Sequence, residues 1–338
     1  MDVYTVVVIT IAFALAFDVI NGFHDAANSI ATIVSTRVLS PRLAVLWAAF
    51  FNFIALWIFG TGVAKTISGI ITIKPDDHAF VWVVLAGLSG AITWNLLTWW
   101  WGLPSSSSHA LIGGVSGAGV AYAGWNILVW KKIKLVAIFI LGAPLIGLVL
   151  GSSIMLLLSW VFRRWRPTKV DKVFRIGQLF SAGAYSIGHG GNDAQKTMGI
   201  IVAVMIAGNL LPAKGYEIPV WVEVASYGCM AFGTAIGGWR IVKTMGMGLT
   251  HLKPVGGFAA ETAGAITLGL VTFVYKAPVS TTHTITGAIV GVGSTNKLRG
   301  IRWGLAGRII WAWIFTIPAA FGVGYGCLKL FAALGVWE

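Results

Sequence analysis

Charge is what this chain of 338 residues has least of. Lys and Arg number 24 and Asp and Glu 11, together 10% of the residues, where a soluble domain uses roughly 25% to cover its surface. That scarcity excludes a pair of ordinary soluble domains, which the length alone would allow. With 57% hydrophobic residues and a mean hydropathy of +0.84, the solvent for most of the chain is lipid. Cysteine is nearly absent. Cys229 and Cys327 lie in apolar stretches without metal-ligand spacing and read as small buried hydrophobes. Strand and hairpin signals are few. The first apolar run has neither a basic leader nor a small-residue cleavage site, so it reads as a membrane segment rather than a signal peptide. The excess of basic residues, net +13, does not point to nucleic acid. These residues cluster between apolar runs, where cationic loops meet anionic headgroups.

Apolar stretches that suit a bilayer recur near 3–20, 43–62, 79–103, 110–130 and 134–161, and again near 173–188, 198–212, 219–238, 256–275, 284–296 and 303–333. Backbone in lipid must satisfy its own hydrogen bonds, which predicts an all-α polytopic membrane protein. The run Arg163-Arg164-Trp165-Arg166-Pro167-Thr168-Lys169 marks the midpoint. It divides the chain into a first transmembrane repeat at 1–162, a short linker at 163–172 and a second repeat at 173–338. The halves match in order. Gly22-Phe23-His24-Asp25-Ala26-Ala27-Asn28-Ser29 aligns with Gly190-Gly191-Asn192-Asp193-Ala194-Gln195-Lys196-Thr197 at an offset of 168. Pro104-Ser105-Ser106-Ser107-Ser108-His109 aligns with Pro278-Val279-Ser280-Thr281-Thr282-His283 at 174, and Pro144 with Pro318 at 174. This is an internal duplication.

Loop charge orients the halves. The segment 163–175 carries six basic residues against one acid, which predicts a cytoplasmic linker. Corresponding loops have opposite charge bias: Arg37 and Arg42 against Lys214 and Glu217, and Arg240, Lys243 and Lys253 against Lys65, Lys74, Asp76 and Asp77. The expectation is two repeats of inverted topology with both termini extracytoplasmic. Lys131, Lys132 and Lys134 resist it, since they fall on the outer side. The Gly113/Gly117, Gly147/Gly151, Gly287/Gly291 and Gly322/Gly326 pairs read as close helix packing. The 17 Trp read mostly as interfacial anchors and packing.

Asp25 and Asp193 are pivotal. A carboxylate at membrane depth costs at least ~2.5–3.5 kcal/mol, so intramembrane acids serve a pathway or a pair. The bland alternative is that each caps a helix, Asp25 preceding Ala-Ala-Asn-Ser-Ile. The hydroxyl clusters Ser105, Ser106, Ser107 and Ser108, and Ser280, Thr281 and Thr282, follow prolines and open Gly-studded apolar runs. Proline stops the incoming helix and the hydroxyl residues cap the next. A helix start of this kind suits an anion, and duplicated broken or re-entrant helices point to a transporter's central site. Hydroxyls, helix N-termini and the amides of Asn28 and Gln195 can cradle a tetrahedral oxyanion. Two acids beside it would repel it by several kcal/mol at low effective dielectric unless cations intervene or the acids are protonated. That is the logic of cotransport with Na⁺ or H⁺. Lys196, counterpart of neutral Asn28, either adds positive charge to the site or pairs with an acid. The histidines His24, His109, His189 and His283 lack HExxH spacing and cysteine partners. They read as hydrogen-bonding residues of the broken helices, not a transition-metal centre.

The paired signatures Asn21-Gly22-Phe23-His24-Asp25-Ala26-Ala27-Asn28 and His189-Gly190-Gly191-Asn192-Asp193-Ala194-Gln195-Lys196, with the two Pro-Ser/Thr-His clusters, resemble those of the inorganic phosphate transporter (PiT) family over nearly the whole chain. The resemblance implies symport of inorganic phosphate with Na⁺ or H⁺ across the plasma membrane by alternating access, without covalent chemistry or cofactor. In a bacterial cell that membrane is the inner one. It also implies phosphate ligands at Ser105, Ser106, Ser107, Ser280, Thr281, Thr282, Asn28 and Gln195, and cation ligands at Asp25 and Asp193 with Asn21 and Asn192. Glu261, another intramembrane acid, is a further candidate, although its first-half counterpart is Gly87. The chain departs from the family at His24, where many members have Asn, at Asn52, near which many carry Glu, and in its short central linker. An oxyanion channel, a sulfate or arsenate carrier and a metal-dependent intramembrane hydrolase are the alternatives. The absence of an ATP-binding P-loop leaves an ion gradient as the energy source. Membrane lipid is an expected partner, and association into a homo-oligomer is left open.

Overall fold

The computed structural model describes residues 2–67, 69–72, 78–246, 248–296 and 300–336. Its helices, in chain order, are α1 (Val3–Ser35), α2 (Pro41–Ile54), α3 (Gly62–Ile67), α4 (Ala79–Trp101), α5 (Ser107–Ala123) and α6 (Trp130–Val161). They continue as α7 (Pro167–Ala207), α8 (Val220–Ile236), α9 (Trp239–Gly246), α10 (Pro254–Leu270), α11 (Thr281–Asn296) and α12 (Trp303–Ala333). Among the described residues there is no strand, only an isolated bridge between Ile71 and Leu128. The helices α1, α4, α6, α12, and α10 with its extension to Tyr275, are long and apolar enough to cross a membrane. Lys74, Asp76 and Asp77, used above to weigh loop charge, lie outside the described residues.

The second six helices repeat the first six in order and relative length. They pack reciprocally: α1 against α8 as α7 against α2, α5 against α12 as α11 against α6, and α4 against α12 as α10 against α6. Side-chain bonds fix the direction of the central pair. Asp18 meets Thr197, Asn21 meets Asp193, Ser29 meets His189 and Thr36 meets Gln178. Residue numbers rise along α1 as they fall along α7, so these two equivalent helices lie side by side and antiparallel. At one end Val7 touches Gly208, His78 reaches the Ala207 carbonyl, and Trp82, in the first turn of α4, meets Phe331, near the C-terminal end of α12. At the other end Arg175 donates to the Arg37 carbonyl. The start of α1 and the end of α12 therefore lie on one face, opposite the basic connection at 162–166.

The capping alternative falls here, and two expected runs join. Asp25 and Asp193 cap nothing: both sit in the middle of uninterrupted helices of 33 and 41 residues. The runs 173–188 and 198–212 are one helix, because the polar signature between them finds partners on neighbouring helices and needs no break. Part of the segment 163–172 is helical, since Pro167 supplies the first turn of α7 and Lys169 and Lys172 follow in it. The breaks fall instead between α4 and α5 and between α10 and α11. Gly102, at φ +67°, ends α4, and Lys276, its counterpart at 174 residues, takes the same left-handed turn at φ +49°.

Close approaches correct the register of the last pair of helices. A Cβ on Gly113 would meet the Ile317 carbonyl at 2.7 Å, and one on Gly287 the Pro144 carbonyl at 2.2 Å. Gly117 and Gly291 face the carbonyls of Phe321 and Leu148 in the same way. Pro144 is thus equivalent to Ile317, at an offset of 173, not to Pro318. Gly147 and Gly151 pack on α11 as expected, but Gly322 and Gly326 face open space. Gly324 takes the packing role, against the backbone of Gly114. Two apolar clusters fill the two ends of the molecule. One holds Val6 to Phe17 of α1 with Ala194 to Ala207 of α7, the other Ala27 to Ile33 with Ala182 and Tyr185. The polar signatures occupy the seam between them.

Candidate functional site

The seam is built symmetrically from the two signature helices and the two broken-helix starts. Ser106 caps α5 by accepting the His109 N–H at 3.3 Å, and Ser280 caps α11 by accepting that of His283 at 3.2 Å. The two starts face each other. The rings of His109 and His283 meet edge to face with centroids 4.7 Å apart, and the Ser108 hydroxyl donates to the Val279 carbonyl at 3.3 Å. Two helix N-termini converge here with their partial positive charges.

Each signature helix ties itself to the break in its own half. His24 Nε2 lies 3.0 Å from the Thr98 hydroxyl and 3.3 Å from that of Ser105. Asn192, the counterpart of His24, donates to the Thr272 hydroxyl at 3.0 Å and the Ala277 carbonyl at 3.4 Å, and accepts the Val279 N–H at 3.3 Å. Each signature helix also reaches the broken helix of one half with the residue three beyond its Asp. Asn28 donates to the hydroxyls of Thr281 at 3.2 Å and Thr282 at 2.9 Å. Lys196 donates to the hydroxyl of Ser108, the counterpart of Thr282, and to Asp193. The Ser107 hydroxyl is buried and has no partner.

The acids meet in the middle. Asp25, His189 and Asp193 each bring a ligating atom within 4.8 Å of the others. Asp25 Oδ1 is 2.7 Å from His24 Nδ1. Asp193 Oδ2 accepts from Asn21 at 3.3 Å and lies 3.4 Å from His189 Nε2, while Ser29 and His189 Nδ1 are 3.1 Å apart. Both carboxylates are shut off from solvent, Asp25 being 3% exposed and Asp193 0%. The Asn21 carbonyl oxygen is buried with no partner beside them. A hard, bare oxygen next to two carboxylates fits a small cation. The single imidazole, with one of the acids already on an ammonium group, does not make the nitrogen-rich set of a transition metal.

Some candidates are engaged elsewhere. Gln195 bonds away from the hydroxyl clusters: its carbonyl accepts the N–H groups of Val63 and Ala64 at 2.9 and 3.4 Å, and its amide donates to the Gly191 carbonyl at 2.6 Å. It caps α3. Asn192 likewise bonds the α10–α11 break. Glu261 lies apart from the centre, on the side of Thr32, two turns along α1 from Asp25. It accepts from Thr32 at 2.6 Å, Gln178 at 3.0 Å and Ser181 at 2.5 Å. Asp18, unremarked in the sequence, sits two turns the other way, fully buried, with the Thr197 hydroxyl donating at 2.6 Å. Its signal was present as an acid within the first apolar run. Ser108, His189 and Tyr185, whose hydroxyl holds the Thr281 carbonyl at 3.0 Å, also join the site.

A sealed polar centre between facing helix starts, inside a helical membrane protein, defines a solute carrier and not an enzyme. The profile of the phosphate transporter family matches residues 21–324. A "Probable low-affinity inorganic phosphate transporter" of Rhizobium meliloti is 54% identical over 314 residues, 92% of each chain. One of the same description from Bacillus subtilis is 44% identical over 327 residues, covering 96% of this chain and 97% of its own. The solved structure described as "The sodium-dependent phosphate transporter" superposes with a TM-score of 0.89 at 24% identity, covering 97% of this chain and 99% of its own, and shares the fold. The chain belongs to the phosphate transporter family.

Proposed function

We propose that this protein carries inorganic phosphate across the plasma membrane together with a small cation, Na⁺ or H⁺, by alternating access. One observation carries the reading: Asp25 and Asp193 converge with His189 within 4.8 Å on one side of two helix starts that face each other. A dianion at those starts would be repelled by the carboxylates by several kcal/mol. A cation between acid and anion turns that repulsion into mutual attraction, so each ligand raises the affinity of the other. Ser107, Thr281, Thr282 and Ser108, steadied by Asn28 and Lys196, are the phosphate donors in this reading, with the backbone N–H groups of α5 and α11. Ser105, Ser106 and Ser280 shape and cap the cradle. Asp25, Asp193 and Asn21 hold the cation.

The antiparallel run of α1 beside α7 supports inverted repeats, for it sets the axis relating the halves perpendicular to a membrane-crossing helix. That axis passes close to Asp25 and Asp193, the point that both faces can reach in turn. The choice of phosphate over sulfate rests on the family and on the descriptions of the relatives.

The test is uptake of radiolabelled phosphate into proteoliposomes under imposed Na⁺ or H⁺ gradients. Accumulation above equilibrium driven by one of them is expected, with sulfate competing weakly. Equal uptake with every gradient dissipated would indicate a channel. Asp25→Asn should abolish gradient-driven accumulation while the protein still inserts and purifies as wild type; normal uptake by that variant would remove Asp25 from the coupling.

A further inference from the structure

Lys196 and Asn28 hold equivalent positions in the two signatures, yet one is a cation and the other is neutral. Lys196 is among the largest fully buried side chains of the protein, at 0% exposure. An ammonium group out of water costs several kcal/mol unless it is paired and hydrogen-bonded. Here it bridges Asp193 and the Ser108 hydroxyl, linking the acid of the second signature to the start of α5. Across the axis, Asn28 makes the matching bonds to Thr281 and Thr282 but offers no charge to Asp25. The acid of the first half has the imidazole of His24 at 2.7 Å as its titratable partner, whereas the second half carries a full ammonium group covalently beside its own.

Building on cation-coupled transport, we infer that Lys196 is a tethered cation. It occupies the second of two symmetry-related cation positions, so only the one at Asp25 exchanges ions. The charge balance follows. Asp25 and Asp193 bring two negative charges and Lys196 one positive, leaving one for a single monovalent ion to neutralise. Asn21, whose amide holds Asp193 and whose bare carbonyl oxygen remains free, completes a centre with one vacancy in its charge and not two. The third N–H of Lys196 is left for a phosphate oxygen. The lysine thus supplies in every cycle, without dissociating, part of the attraction that a second ion would provide.

Equilibrium binding of radiolabelled phosphate to the purified full-length protein tests this, titrated with Na⁺ at fixed pH and with pH at fixed Na⁺. The wild type should show dependence on one cation with a Hill coefficient of about one. Lys196→Asn, which makes the halves alike, should weaken binding at low cation on the order of thirtyfold. High cation should restore it, with a coefficient approaching about two. The converse change, Asn28→Lys, should give phosphate binding that no longer responds to cation. A wild-type coefficient already near two, a Lys196→Asn slope unchanged or a loss that no cation concentration restores, or an Asn28→Lys variant that stays cation-dependent or binds no phosphate, would overturn the inference. If wild-type binding responded to neither Na⁺ nor pH, it is the cotransport reading itself that would fall.

Discussion

His24 and Asn192 bridge equivalent gaps with unlike groups. The imidazole reaches Thr98 and Ser105 through one nitrogen and Asp25 through the other, while the carboxamide spans Thr272, Ala277 and Val279. Replacing His24 by Ala leaves the Thr98 and Ser105 hydroxyls and Asp25 one partner short, at a cost of about 1–3 kcal/mol. His24→Asn should recover part of that, because the second half is already built this way. Thermal unfolding in detergent, with phosphate affinity alongside, checks the order wild type, Asn, Ala; an Ala variant as stable as the wild type would deny the tie. At this scale the sequence was legible where a charge stood in an apolar run or a cluster was repeated, as with Asp25, Asp193 and the hydroxyls. Amides were not legible. The bonds of Gln195 and Asn192 to the start of α3 and to the α10–α11 break could not be read there, because a carboxamide's partners are set by which backbone groups the fold leaves open.

Among elements, the glycines separate packing from mere composition. Gly117 lies so close to α12 that a Cβ would stand 2.1 Å from the Phe321 carbonyl, and that neighbour is backbone with nowhere to turn. Gly322, the residue after Phe321 but turned away from α5, has nothing within 4 Å. Gly117→Ala should therefore force α5 and α12 apart and lower stability by about 1–3 kcal/mol, as overpacking does. Gly322→Ala should change it by less than about 0.5 kcal/mol. Melting temperatures of the two variants, measured side by side, decide the register: a destabilised Gly322→Ala with an unaffected Gly117→Ala would restore the pairing of Pro144 with Pro318. The repeated Gly-x-x-x-Gly spacing was readable, but which glycines touch a neighbour was not, because a shift of one residue rotates a helix face by about 100°. The breaks at Pro104 and Pro278 were readable for the opposite reason. Proline without an N–H, followed by capping hydroxyls, acts within a few residues of itself.

On the scale of the whole molecule, arginines gather on one face. Arg37 and Arg175 meet there, the connection at 162–166 adds Arg163, Arg164 and Arg166, and Arg240 lies over Trp99 and Trp100 at the end of α4. The opposite face carries the start of α1, the end of α12 and the turn after α7. Lys132, whose side of the membrane argued against this asymmetry, is explained by its bonds: its ammonium donates to the carbonyls of Lys65 and Thr66 at 3.3 and 3.1 Å, serving the C-terminal end of α3. A lysine committed to a helix end reports on packing, not on orientation. By the positive-inside rule, the remaining bias predicts that the linker face is the cytoplasmic one. In a background with Cys229 and Cys327 replaced by Ser, a cysteine at Asn209, in the turn after α7, should react with an impermeant maleimide added to intact cells. One at Thr168, in the first turn of α7, should react only after permeabilisation. The reverse pattern would invert the molecule, and labelling of both positions from outside would contradict an α7 that crosses the membrane. Since the antiparallel pairing of α1 with α7 ties the two faces to one axis, the same pair of cysteines also reads toward which side of the membrane Glu261, bonded to Thr32 of α1, and Asp18 of α1 are displaced from the centre.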